Sequence, residues 1–167
     1  MATPVDIAPN NERELVMARI LDATPEALYR CWTDPKLMPE WFCPKPWTVE
    51  ITKHDLKPGG ASEMIMRGPD GEEFPNNGVY LEAVPNRKLV FTDAFTEGWV
   101  PVEGGGMMTA VVTFEPHGNG QTLYIARAGH PSLEKKAEHE AMGFHDGWGI
   151  VAEQLEAFAQ KLQTEAA

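Results

Sequence analysis

The chain is poor in cysteine, serine and positive charge, and each shortage excludes something. Of its 167 residues two are cysteines, Cys31 and Cys43, with no CxxC pair. In a reducing compartment such cysteines are free thiols. As nucleophiles they lack a histidine nearby in sequence to favour the thiolate. The only serines, Ser62 and Ser132, sit in no GxSxG elbow. Lys and Arg number 14 against 25 Asp and Glu, a formal net charge of -11. Phosphate backbones and anionic membranes demand a basic patch, so nucleic acid is not an expected partner. No stretch of about 18 apolar residues is present, so membrane insertion is not expected. Residues 1–11 are polar and proline-containing, without the apolar core of a signal peptide, and the expected location is cytoplasmic. Gly104, Gly105 and Gly106 are not followed by Lys-Ser/Thr, which excludes a phosphate loop. His130, His139 and His145 match no metal-binding spacing, and neither a metal nor a cofactor is expected.

What is present is a long amphipathic stretch near the end of the chain. Phe144, Trp148, Val151, Leu155, Phe158 and Leu162 recur at steps of three and four, the period of one apolar helix face. Glu153, Glu156, Gln160 and Lys161 fall away from that stripe. A helix with so large an apolar face must be covered by something else. Gly143, Gly147 and Gly149 each cost about 1 kcal/mol in a helix relative to alanine. They imply a close approach to the first turns, or a later helix start.

The rest of the chain reads mainly as strands. Residues 1–11 form a flexible lead-in, and residues 12–167 a single domain with an apolar fraction of 43%. A first strand spans 13–22. Thr24 caps a short helix with Pro25 at its first position. Asp34-Pro35 starts a second short helix carrying Leu37, Met38, Trp41 and Phe42. Alternating or apolar runs then predict strands over 47–54, 61–67, 77–84, 88–95, 107–115 and 122–128, separated by turns rich in Gly, Pro and Asn. Residues 97–106 form a glycine-rich loop, and 131–140 a charged segment with helical character. The resulting class is α+β: a curved antiparallel sheet, two short helices after the first strand, and a long C-terminal helix.

Several words of sequence occur in an order that resembles a known family. They are ATPEALYRCWTDPK at 23–36, Trp41-Phe42, LKPGG at 56–60, RGPDG at 67–71, GVYLE at 78–82, RKLVFTD at 87–93, VTFE at 112–115 and Gly147-Trp148. Together they span residues 12–163 and resemble the activator-of-Hsp90-ATPase-like branch of the START/Bet v 1-like (SRPBCC) superfamily. The resemblance implies a helix-grip fold, with the sheet wrapped around the C-terminal helix and a cavity between them. It implies a binding protein for a small hydrophobic or amphipathic ligand. The superfamily also includes cyclase-like enzymes. The family name brings in an Hsp90-type chaperone as a partner, although the extra N-terminal domain of the eukaryotic co-chaperone is not expected here. Homodimerisation is compatible with a domain of this size.

On that reading Trp32, Met38, Trp41, Met64, Met66, Phe91, Met108, Phe144 and Trp148 are the candidate cavity residues. Methionine suits irregular apolar sites because it is flexible and polarisable. Each of these side chains is equally suited to filling a core. Tyr80, Asp93 and His145 are candidate polar anchors, with Glu82 and Arg127 as further options. Strand alternation puts Asp93 on the same face as Phe91 and Leu89. No catalytic set is recognisable. An enzyme would draw on His145, Asp93 or Glu82 as general acid or base.

Overall fold

The computed structural model describes residues 2–166. In chain order its main elements are β1 (Thr3–Val5), β2 (Glu14–Leu21), α1 (Pro25–Thr33), β3 (Thr48–His54), β4 (Ala61–Arg67), β5 (Glu73–Val84), β6 (Lys88–Thr92), β7 (Phe95–Thr96), β8 (Val100–Pro101), β9 (Thr109–His117), β10 (Gln121–Gly129), α2 (Leu133–Ala141) and α3 (Phe144–Ala166). No helix among the described residues is long and apolar enough to cross a membrane.

Eight strands form one antiparallel sheet in the order β1-β2-β10-β9-β6-β5-β4-β3. The chain makes hairpins from β3 to β6, leaves the sheet, and returns through β9 and β10. The final strand then pairs with β2. Register shifts at Ile51/Lys53 and between Tyr80 and Glu82 mark irregularities in the ladders, the kind of feature that bends and twists a sheet. The excursion between β6 and β9 is ordered: β7 and β8 make a separate two-stranded ribbon. Thr3–Val5, in the polar lead-in, pairs with Ala18–Ile20 as an edge strand.

Helix α1 forms as its caps dictate. The Thr24 side chain accepts from the Ala27 N–H at 3.2 Å, and Pro25 occupies the first turn. Its inner face buries Leu28, Cys31 and Trp32. The expected second helix is a single 3-10 turn, Met38–Glu40. Pro39 sits in its first turn, where no N–H is needed, and the Trp41 N–H closes the turn on the Met38 carbonyl at 3.3 Å. Trp41 is nevertheless buried, and its indole donates to the Cys31 carbonyl at 3.1 Å.

Helix α3 lies against α1 and β2. Its most buried line is Ala152, Leu155, Glu156 and Ala159. Phe144 is also buried, while Val151, Phe158 and Leu162 are half-buried at the flanks of the core. Small alanines allow close approach of the helix to its neighbours. Glu156 was expected on the outer face but is buried. Its Oε2 accepts from the Asp22 backbone N–H at 2.8 Å, a donor left over at the end of β2.

Gly143 separates α2 from α3. Its φ of +94° and its N–H bond to the Glu140 carbonyl make it the turn residue that ends α2. Gly147 has another character. A Cβ there would meet nothing within 4 Å, so no close approach requires the glycine. Gly147→Ala is expected to stabilise the fold by about 0.5–1 kcal/mol, through helix propensity and a less flexible unfolded chain. Urea denaturation checks this as a rise in midpoint at unchanged slope.

Candidate functional site

One pocket is lined by residues from α1, β4, β5, β6 and α3 and from the loops beside them. Trp32 comes from α1, Met38 and Phe42 from the turn after it. Ser62 and Met64 come from β4, Asn76, Gly78 and Tyr80 from β5, and Phe91 and Thr92 from β6. Asp93 and Met108 come from the two sides of the β6–β9 excursion, and Trp148 from α3. The space is about 60 Å³. Sites for drug-sized molecules usually enclose about 300–1,000 Å³, so this pocket is small for one.

Eight of the twelve candidates read from sequence line it: Trp32, Met38, Met64, Tyr80, Phe91, Asp93, Met108 and Trp148. Trp41, Met66, Phe144 and His145 do not. Trp41 lies behind Trp32 in the core, ring centroids 4.9 Å apart. Met66 packs at the edge of the core further along β4. Phe144 is buried with its ring between His139 and Trp148, at 5.2 and 5.1 Å. His145 is exposed and pairs with Glu140 at 2.9 Å. Of the other polar options, Glu82 pairs with Lys88 and Arg127 with Glu14, at 3.1 and 2.7 Å. Phe42, Ser62, Asn76, Gly78 and Thr92 were missed. A signal existed for three of them: Ser62 shares a strand face with Met64, and Asn76 and Gly78 share one with Tyr80.

The aromatic wall is held rigidly. Trp32 is 3% exposed and its indole N–H donates to the Tyr124 hydroxyl at 3.0 Å. Its ring lies 5.6 Å from Phe91 and 5.8 Å from Phe42. Edge and tilted contacts at these separations are the favoured aromatic geometries. Burial pushes the Tyr124 hydroxyl pKa upward, so this buried phenol stays neutral.

Two polar features face the pocket. The Tyr80 hydroxyl lies 3.1 Å from His54 Nδ1. Burial raises the Tyr80 pKa and lowers that of His54. Asp93 was expected to follow the alternation of β6, but that strand ends at Thr92. Its Oδ1 instead accepts the backbone N–H groups of Met107 and Met108, at 2.8 and 3.1 Å. Asp93 thereby closes the loop that carries β7 and β8, while still lining the pocket.

The histidines reach a different arrangement from their spacing. His130 Nε2 and His139 Nδ1 lie 2.8 Å apart, and His130 Nδ1 donates to the Arg13 carbonyl at 2.8 Å. Burial, then the neighbouring His130, holds the His139 pKa below the usual histidine range. No group of three or more His, Cys, Asp or Glu among the described residues is arranged to hold a metal.

Both cysteines are buried free thiols. Desolvation pushes Cys31 up to about 12 and Cys43 to about 11. Neither is a thiolate near neutral pH, so neither acts as a nucleophile. Iodoacetamide at about pH 8 is expected to leave both unmodified in the native protein and to label both in denaturant. Mass spectrometry reads the added mass, and rapid native labelling of either would contradict this placement.

A curved antiparallel sheet gripping a long C-terminal helix defines a helix-grip protein of the START/Bet v 1-like (SRPBCC) superfamily. The family model described as Activator of Hsp90 ATPase homolog 1-like protein matches residues 22–160, and the chain belongs to that family. A solved structure from Nitrosomonas europaea is 34% identical, with a TM-score of 0.86 over 93% of this chain and 99% of that one. One from Chromobacterium violaceum is 28% identical, with a TM-score of 0.70 over 89% and 98%. One from Mycobacterium smegmatis, at 23% identity, shares the fold with a TM-score of 0.76 over 92% and 95%. Among curated proteins, none matches the sequence.

Proposed function

We propose that this protein binds a small apolar or amphipathic molecule in the pocket between the sheet and α3. Proteins of this superfamily generally bind hydrophobic ligands. The observation that carries the reading is the make-up of the lining: three methionines and four aromatic rings, with Tyr80 and Asp93 among a few polar groups. That mixture suits a site where burial supplies affinity, at about 25 cal/mol per Å², and polar groups supply orientation.

At about 60 Å³ the pocket accepts only a compact part of a ligand. Larger ligands enter by rotamer changes of Met38, Met64 and Met108, whose unbranched side chains rearrange at low cost. Native mass spectrometry beside the denatured mass tests the reading. The expected result is an added mass that disappears on denaturation, or a saturable one when small aromatic compounds are added. A bare mass with every member of an apolar panel would overturn it.

A further inference from the structure

The polar end of the pocket is built across three adjacent strands. In the ladders His54 of β3 stands opposite Ser62 of β4, and Ser62 stands opposite Gly78 of β5. Tyr80, two residues along β5 on the same face, places its hydroxyl 3.1 Å from His54 Nδ1. Tyr80 is 2% exposed, and its ring meets the His54 ring edge-on at 5.4 Å. Tyr80 and Ser62 line the pocket, whereas His54 stands behind them.

Resting on the binding function above, we propose that Tyr80 is the ligand anchor, donating its phenolic proton to an acceptor oxygen of a neutral carbonyl compound. His54 is the positioning residue that decides where that proton points.

The hydrogen-bond bookkeeping runs through one proton. In the tautomer that draws the Tyr80 proton, His54 carries its own proton on Nε2. A neutral ring has a single N–H, so its Nδ1 then presents a lone pair to the phenol. In that state the pocket sees an oxygen already committed as a donor to His54. When His54 is protonated, Nδ1 becomes a donor to the Tyr80 oxygen, and the phenolic proton turns toward the pocket. A ligand acceptor is then satisfied without competition. Burial keeps Tyr80 itself protonated, so it remains a donor throughout.

The groups facing His54 are Tyr80 from β5, Ser62 from β4, the Thr33 carbonyl at the end of α1, and the Asp34 and Asp55 carboxylates. Burial lowers its pKa more than the Thr33, Asp34 and Asp55 contacts raise it. The ligand favours the protonated ring, so its affinity rises as pH falls through a value below about 6.5.

Charge selects the ligand class. Asp93 is the one formally charged lining residue, no lysine or arginine lines the pocket, and the chain carries a net charge of -11. A carboxylate or phosphate head would be desolvated beside a carboxylate with no cation to compensate. A neutral ketone, aldehyde or ester oxygen meets the Tyr80 donor without that cost.

The test uses two shape-matched probes, cyclopentanone and methylenecyclopentane, titrated into the full-length protein and followed by NMR. The readout is the ratio of their affinities, which cancels the shared apolar burial. Tyr80→Phe is expected to lower the ketone-to-hydrocarbon ratio about fivefold. Lowering pH from about 8 to about 5.5 is expected to raise the wild-type ratio by a similar factor, and His54→Gln to flatten that profile. An unchanged ratio in Tyr80→Phe overturns the anchor. A flat wild-type profile, or one that survives in His54→Gln, overturns the role of His54 and remains readable even where Tyr80→Phe fails to fold. Failure of both probes to bind saturably overturns the pocket function itself, a result distinct from hydrocarbon binding without ketone preference.

Discussion

Gly78→Ala is expected to destabilise the protein by about 3 kcal/mol or more. A Cβ at Gly78 would sit 2.2 Å from the Thr92 carbonyl oxygen and 3.1 Å from the Asp93 Cα. Those are backbone atoms of the neighbouring segment, and no side-chain rotation relieves the overlap. Relief requires β5 and β6 to separate, which strains the Val79–Thr92 pairing. Gly60 is a parallel case, with a Cβ 2.0 Å from the Asp55 carbonyl oxygen. Gly147→Ala, in open space, is the control that separates steric overlap from glycine substitution as such. Urea midpoints of the three variants check the ordering. A Gly78→Ala midpoint within error of wild type would mean that β5 and β6 are not packed as described.

Trp32→Ala is expected to cost about 3–5 kcal/mol, a large share of the 5–15 kcal/mol that holds a typical domain together. Two costs add. The first is a void where the indole met Trp41, Phe42 and Phe91. The second is the Tyr124 hydroxyl, 1% exposed, stripped of its donor. Trp32→Phe refills most of the void but not the hydrogen bond, so its cost is expected to fall between alanine and wild type. Thermal unfolding compares them, and equal midpoints for phenylalanine and wild type would show that the indole N–H contributes nothing.

The fold was legible where pattern and burial agree. The stripe of α3 is one-sided, and its period survives single exceptions. The Thr24-Pro25 signal placed α1 because capping is chemistry local to a few residues. The second short helix, read from the spacing of Leu37 to Phe42, is present as the single 3-10 turn Met38–Glu40, whose brevity the spacing did not show. Glu156 was assigned outward by residue type. Its buried position meets the backbone N–H of Asp22 among its contacts, a demand set by how β2 ends and not by any local pattern. Asp93 lines the pocket with Phe91, but its bonds to the Met107 and Met108 N–H groups were not legible, because alternation holds only while a strand continues and β6 stops one residue earlier.

The pocket was legible as composition but not as geometry. Tyr80 stood out as a polar residue in an apolar strand. His54 did not, because it sits at the end of β3, 26 residues from its partner. Only the register of three strands brings the two together. Trp41 and Phe144 show the limit in the other direction. A large aromatic side chain suits a core as well as a pocket wall, and the choice depends on which neighbour lies behind it.

The five tryptophans allow one direct measurement of the central claim. Trp32 and Trp148 line the pocket, Trp41 lies behind it, and Trp47 and Trp99 lie outside its lining. Titration of ¹⁵N-labelled protein with phenol, followed through the indole N–H resonances, reads all five at once. The account predicts saturable shifts that are largest at Trp32 and Trp148, smaller at Trp41, and negligible at Trp47 and Trp99. Shifts concentrated at Trp47 or Trp99, or no saturable shift at Trp32 and Trp148, would contradict it.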